Sequence, residues 1–65
     1  MNKFLDSVTK RPIEAGDTVR NRVTGSIYTF ESAGMDADGP FAVVVNKRGE
    51  KLVLPPGRLL NVVVA

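Results

Sequence analysis

Five consecutive residues, Phe41-Ala42-Val43-Val44-Val45, carry no polar side chain on either face, and they sit in a chain of only 65 residues. The period of two in a strand sends Phe41, Val43 and Val45 to one side and Ala42 and Val44 to the other, so this strand has to be covered twice. One face fills a core, and the other needs a second cover. A domain of this length buries roughly 60% of the surface its unfolded chain exposes, which leaves little apolar material for that purpose. Cysteine and histidine are both absent. Neither a disulfide nor the usual zinc ligands can therefore add stability, and contact with another subunit is the remaining common aid.

Turn residues divide the rest of the chain into short extended segments. Gly16-Asp17 marks a turn, after which Thr18-Val19-Arg20-Asn21-Arg22-Val23 alternates, with Thr18, Arg20 and Arg22 on one face and Val19 and Val23 on the other. Thr24-Gly25 leads into a second strand over residues 26–33, which places Tyr28 and Phe30 opposite Ile27 and Thr29. A loop holding Gly34, Asp36, Asp38, Gly39 and Pro40 precedes the third strand, residues 41–45, apolar on both faces. Asn46-Lys47-Arg48-Gly49 supplies hairpin chemistry and returns the chain into residues 50–54. Pro55-Pro56 ends that strand, because neither residue has a backbone N–H. Arg58-Leu59-Leu60 suits a single 3-10 turn, and residues 61–65 close the chain as a fifth strand.

The expected fold is all-β: a small five-stranded SH3-like barrel over residues 15–65, with a short 3-10 turn before the last strand and an N-terminal arm over residues 1–14. A five-stranded OB-like barrel is the alternative. In the arm, Phe4, Leu5 and Val8 are spaced to share one side of a helical turn; the other reading has the arm pack them back on the barrel. Phe4, Phe30 and Phe41 are expected in the core.

Gly16-Asp17-Thr18-Val19-Arg20 near the start, and Gly49-Glu50-Lys51-Leu52-Val53-Leu54-Pro55 with Leu59 near the end, resemble the plasmid-borne type II dihydrofolate reductases. Subunits of that family are SH3-like barrels that form a tetramer around one central pore. The Gly-Asp-x-Val opening is shared with other small barrels, KOW-type domains among them. The resemblance, over residues 16–63, implies the barrel but not the reaction. In that family the penultimate strand carries a glutamine-isoleucine-tyrosine run that contacts nicotinamide and folate, and here Leu52, Val53 and Leu54 stand at the matching positions. Asn21 stands where the family has a lysine that helps hold the folate tail.

Other chemistry fares no better. Without histidine or cysteine, neither a triad nor a thiol nucleophile can be assembled. Asp36-Ala37-Asp38-Gly39 starts like a calcium loop, but Pro40 takes the third ligand position and Lys47 the place of the bidentate glutamate. The expectation is a non-enzymatic protein with no catalytic, cofactor or metal site and no small-molecule substrate. The apolar run after Met1 is too short for a secretory signal, and no run approaches the ~18 residues that cross a bilayer. Together with the missing cysteines, this points to a cytoplasmic chain without membrane contact.

Two binding readings follow. In the first, the chain is an assembly or adaptor module that contacts a protein partner or its own copies, through Val43, Val45, Val62 and Val64 together with Tyr28. The last strand also offers an edge for pairing. A role of this kind suits a small regulatory or virion-type protein of a phage or plasmid. In the second, Arg20, Arg22, Lys47, Arg48 and Lys51 form a basic surface for nucleic acid, with Tyr28 as the one aromatic able to stack on a base while its hydroxyl stays wet. The net charge of +2 permits a polyanionic partner without requiring one. Leu52 and Leu54 cannot make the polar contacts that orient folate and nicotinamide, so a spectrophotometric assay should show no NADPH-dependent reduction of dihydrofolate. Measurable turnover would reverse the non-enzymatic reading.

Overall fold

The computed structural model describes residues 3–64. Alternating segments fold into β1 (Phe4–Asp6), β2 (Thr18–Arg20), β3 (Ile27–Asp36), β4 (Gly39–Val45), β5 (Lys51–Leu54) and β6 (Val62–Val64), with a 3-10 turn at Pro56–Arg58 ahead of β6. Every strand pairing is antiparallel. Strands β2-β3-β4-β5 form one sheet in that order, and β1 pairs with β6 in a second. The described chain is therefore all-β, small and compact, on two antiparallel sheets.

The sheets share one core. Phe4, Val19, Phe30, Ala42, Val44, Leu59 and Val62 are buried, so that five of the six strands and the segment after the 3-10 turn each contribute. Phe4 and Phe30 lie with ring centroids 6.2 Å apart at 43°, within the range of favourable aromatic pairs. Leu59 is seated by its own backbone neighbours. The Arg22 N–H donates to the Arg58 carbonyl at 2.7 Å and the Leu60 N–H to the Arg20 carbonyl at 2.8 Å, with Asn21 opposite Leu59. Residues 58–60 thus extend the β2 edge and lead straight into β6, tying the second sheet to the first.

Several expectations change. The arm contains a strand and no helix, because Phe4, Leu5 and Asp6 pair with Val64, Val63 and Val62. On its other edge Ile13 N–H donates to the Phe4 carbonyl. Asp6 Oδ1 then accepts from the N–H groups of Val8 and Thr9, turning the chain so that Val8 is left 74% exposed. Six strands result where five are expected. The segment from Thr18 stops after Arg20, since buried Asn21 accepts the Val23 and Thr24 N–H groups on its Oδ1 at 2.8 and 3.1 Å. Val23 leaves the Val19 face and is 73% exposed.

The expected loop between the second and third strands shrinks to a two-residue turn, Ala37-Asp38, so β3 runs to Asp36 and β4 starts at Gly39. Asp36 Oδ1 accepts the Asp38 N–H within that turn. A bulge at Glu31 resets the register from Phe30↔Val44 to Ser32↔Val43. Phe41 is not a core residue. It pairs with Gly34, and its ring lies over that glycine on the outer face, where an added Cβ would stand 2.5 Å from Cζ. β4 is fully buried on one face only: Ala42 and Val44 are fully enclosed, whereas Phe41, Val43 and Val45 are half-buried. The 3-10 turn begins two residues earlier than expected, and Asn61 precedes β6 in a turn with φ 57. Met1 and Asn2 of the arm and Ala65 of the last strand lie outside the described residues.

Leu59→Ala should lower the unfolding free energy by about 2–5 kcal/mol, enough to leave a domain this small largely unfolded. Leu60→Ala, at a side chain 43% exposed, should change it by no more than about 0.5 kcal/mol. Urea denaturation of the two variants checks the contrast, and equal effects would contradict the assigned core.

Candidate functional site

Pairing in the four-stranded sheet decides which residues meet on its outer face. Val45 stands opposite Thr29 and Lys51, Val43 opposite Ser32 and Val53, and Phe41 opposite Gly34. This builds an apolar strip from Phe41 through Val43 to Val53, whose side chain is 64% exposed. At the bulge Glu31 reaches across the same face to Lys51, with Oε1 2.9 Å from Nζ; this is the only ion pair among the described residues. Both partners are largely exposed, so the pair contributes about 0–1 kcal/mol and serves mainly to border the strip.

β5 is also an open edge. The Asn46 N–H donates to the Glu50 carbonyl at 3.0 Å, and antiparallel alternation from that pair turns the backbone groups of Leu52 and Leu54 towards β4 and those of Lys51 and Val53 outwards. No backbone partner meets the outward groups among the described residues. The edge is short, starts on a lysine and runs into Pro55-Pro56. All three features discourage unselective strand addition.

The five candidate apolar and aromatic contacts separate. Val43 and Val45 lie on the outer face, half-buried. Val62 is in the core, Val64 packs against it, and Val63 is the exposed member of β6. Tyr28 also packs against the core, half-buried beside Leu52 at one end of the sheet. Sequence reasoning missed Val53 and Phe41 as members of the strip. The alternation Lys51-Leu52-Val53-Leu54 holds the signal for Val53, since Leu52 and Leu54 share one face and leave Val53 on the other.

The basic residues gather at one end of the sheet without forming one surface. Register places Arg20, Lys47, Arg48 and Lys51 at the end where β3 begins, and Arg22 in the adjoining turn, while Asp36 and Asp38 occupy the opposite hairpin tip. Lys51 is engaged with Glu31 on the outer face. Arg20 lines an open groove of about 640 Å³ beside the arm, which it shares with Asp6, Glu14 and Asp17. Two of those carboxylates already serve turns: Asp6 caps residues 8 and 9, and Asp17 Oδ2 accepts the Glu14 N–H. Lys47 and Arg48 line a separate cleft of about 400 Å³ together with Tyr28 and Leu52.

Among the described residues, no group of three or more acidic side chains is placed to hold a metal ion, and no helix is long and apolar enough to cross a membrane. No protein-family model, curated protein or solved structure matches the chain. Asn21 fixes the turn that carries Arg22. Asn21→Ala strips two part-buried N–H groups of their acceptor and should cost about 1–3 kcal/mol, read by thermal or urea melting. A loss under about 0.5 kcal/mol, the range of ordinary surface changes, would show that water replaces the side chain there.

Proposed function

We propose that the chain is a small SH3-like barrel that works by binding, as a non-enzymatic assembly or adaptor module contacting a protein partner or its own copies. The fold part of this reading is supported by the strand order β2-β3-β4-β5, by the 3-10 turn before β6, and by the return of residues 58–60 onto β2. A cytoplasmic regulatory or virion-type protein fits the same description.

One observation carries the binding part. The outer face joins half-buried Phe41 and Val43 to largely exposed Val53, directly beside the open edge of β5. The inner face already fills the core, and β1 adds its cover at Phe4 next to β6, so the arm does not reach this strip. Apolar groups flanked by a bordering ion pair and a free edge are the arrangement an interface core uses.

Light scattering at about 100 μM, where a contact with Kd near 1 μM is close to saturated, should give a mass above the 7.0 kDa of one chain. Val53→Lys should return it to one chain with the circular dichroism spectrum unchanged. A monomer under these conditions, with no protein recovered on immobilised wild-type chain that Val53→Lys fails to retain, would overturn the assembly reading.

A further inference from the structure

The cleft at the basic end lies away from the apolar strip and is built differently. One wall is the turn before β3, with Gly25 and Ser26; the other is the β4–β5 hairpin tip, with Lys47 and Arg48; Tyr28 and Leu52 line it between them. No carboxylate lines it. Glu50, the nearest acid in sequence to the tip, is drawn into the hairpin, where Asn46 Nδ2 donates to its Oε1 at 3.1 Å. Asn46 Oδ1 accepts the N–H groups of Arg48 and Glu50, which fixes the tip, and Gly49 closes it at φ 83. Lys47 and Arg48 thus project from a locked turn with no ion-pair partner among the described residues.

Opposite them Gly25 presents bare backbone, with nothing within 4 Å of where a Cβ would stand. The cleft's roughly 400 Å³ lies within the size range of small-ligand sites. It holds the three elements a nucleotide needs: an aromatic ring for a base, cations for a phosphate and an unhindered wall. A peptide is the weaker occupant. β3 is paired on both sides and the Leu52 backbone faces β4, so the cleft offers no strand edge for a peptide to extend. Asp36 and Asp38 at the far hairpin tip leave the charge of the sheet polarised, which favours approach of an anion at this end.

We propose that this cleft binds a nucleotide unit, with its base against Tyr28 and its phosphate on Lys47 and Arg48. The unit is a free nucleotide or one residue of a single strand, and the two sources share this chemistry. The site is independent of the assembly reading, because Val53 and Phe41 take no part in it.

Fluorescence anisotropy of labelled oligothymidine and oligouridine tests the proposal, with unlabelled thymidine and uridine monophosphates as competitors and polyglutamate as a charge-only control. Binding of the oligonucleotides is expected, weaker by roughly tenfold or more at low salt in the double variant Lys47→Ala/Arg48→Ala, with a log–log salt slope shallower by about 1.4. Tyr28→Leu keeps an apolar side chain over the core and should weaken binding by roughly 5- to 100-fold, at a melting temperature that shows the variant folded. Lys51→Ala, which removes a cation already paired with Glu31, should leave affinity within about twofold at moderate salt. Competition by the monophosphates at the oligonucleotide's own affinity assigns the site to free nucleotides, and its absence assigns it to single strands. Polyglutamate bound as tightly as the oligonucleotide, affinity unchanged in the double variant or in folded Tyr28→Leu, or no binding by the wild type would each overturn the proposal.

Discussion

Two backbone hydrogen bonds close this structure, from the Arg22 N–H to the Arg58 carbonyl and from the Leu60 N–H to the Arg20 carbonyl. Between them Leu59 enters the core with no exposed surface. Without this contact the four-stranded sheet would end at β2 and the β1–β6 pair would have nothing to pack against, because β6 follows directly from residues 58–60. The chain has no disulfide to hold such a junction. Local geometry does it instead. Pro55 and Pro56 stop β5, the 3-10 turn reverses direction, and Asn21 bends β2 away just where the returning segment must pass.

The same closure accounts for what stays open. A core of seven residues from both sheets fills the inner side, and the arm contributes Phe4 to that side. The outer face of β4 is left to its own neighbours. Phe41 finds a partial solution by lying on Gly34, and Val45 sits between Thr29 and Lys51, but Val53 has only Val43 across from it. An apolar strip beside an unpaired edge is therefore a consequence of one strand being apolar on both faces in a chain with material for a single core. The charge pattern has a separate origin. Both turns at one end of the sheet carry cations, whereas the β3–β4 tip carries aspartates.

Much of this was legible in the residues, and the failures have physical reasons. Alternation and turn chemistry are local, so the all-β class, the hairpin at residues 46–49 and the stop at Pro55 could be read directly. Val19, Phe30 and Val44 announce themselves as core by period. Position along the chain is less informative where a side chain competes with the ladder. Asn21 reads as one more residue of an alternating strand, yet its amide oxygen takes two backbone N–H groups and ends the strand. The bulge at Glu31 shifts the register by one and redirects everything after it, which no period of two can foresee. Phe4, Leu5 and Val8 fit a helical spacing in isolation, and only the distant partner Val62–Val64 makes them a strand. Of the candidate contacts, Val43 and Val45 could be placed from period alone, whereas Val62 could not, because its burial depends on that same long-range pairing.

Amide hydrogen exchange resolved by NMR reads the closure directly, residue by residue. If residues 58–60 lock the two sheets into one cooperative unit, the Arg22 and Leu60 amides exchange as slowly as those in the β3–β4 ladder. The outward amides of Lys51 and Val53 exchange far faster in dilute solution. Arg22 and Leu60 exchanging at the rate of the exposed turns, while the β3–β4 amides stay protected, would contradict the account.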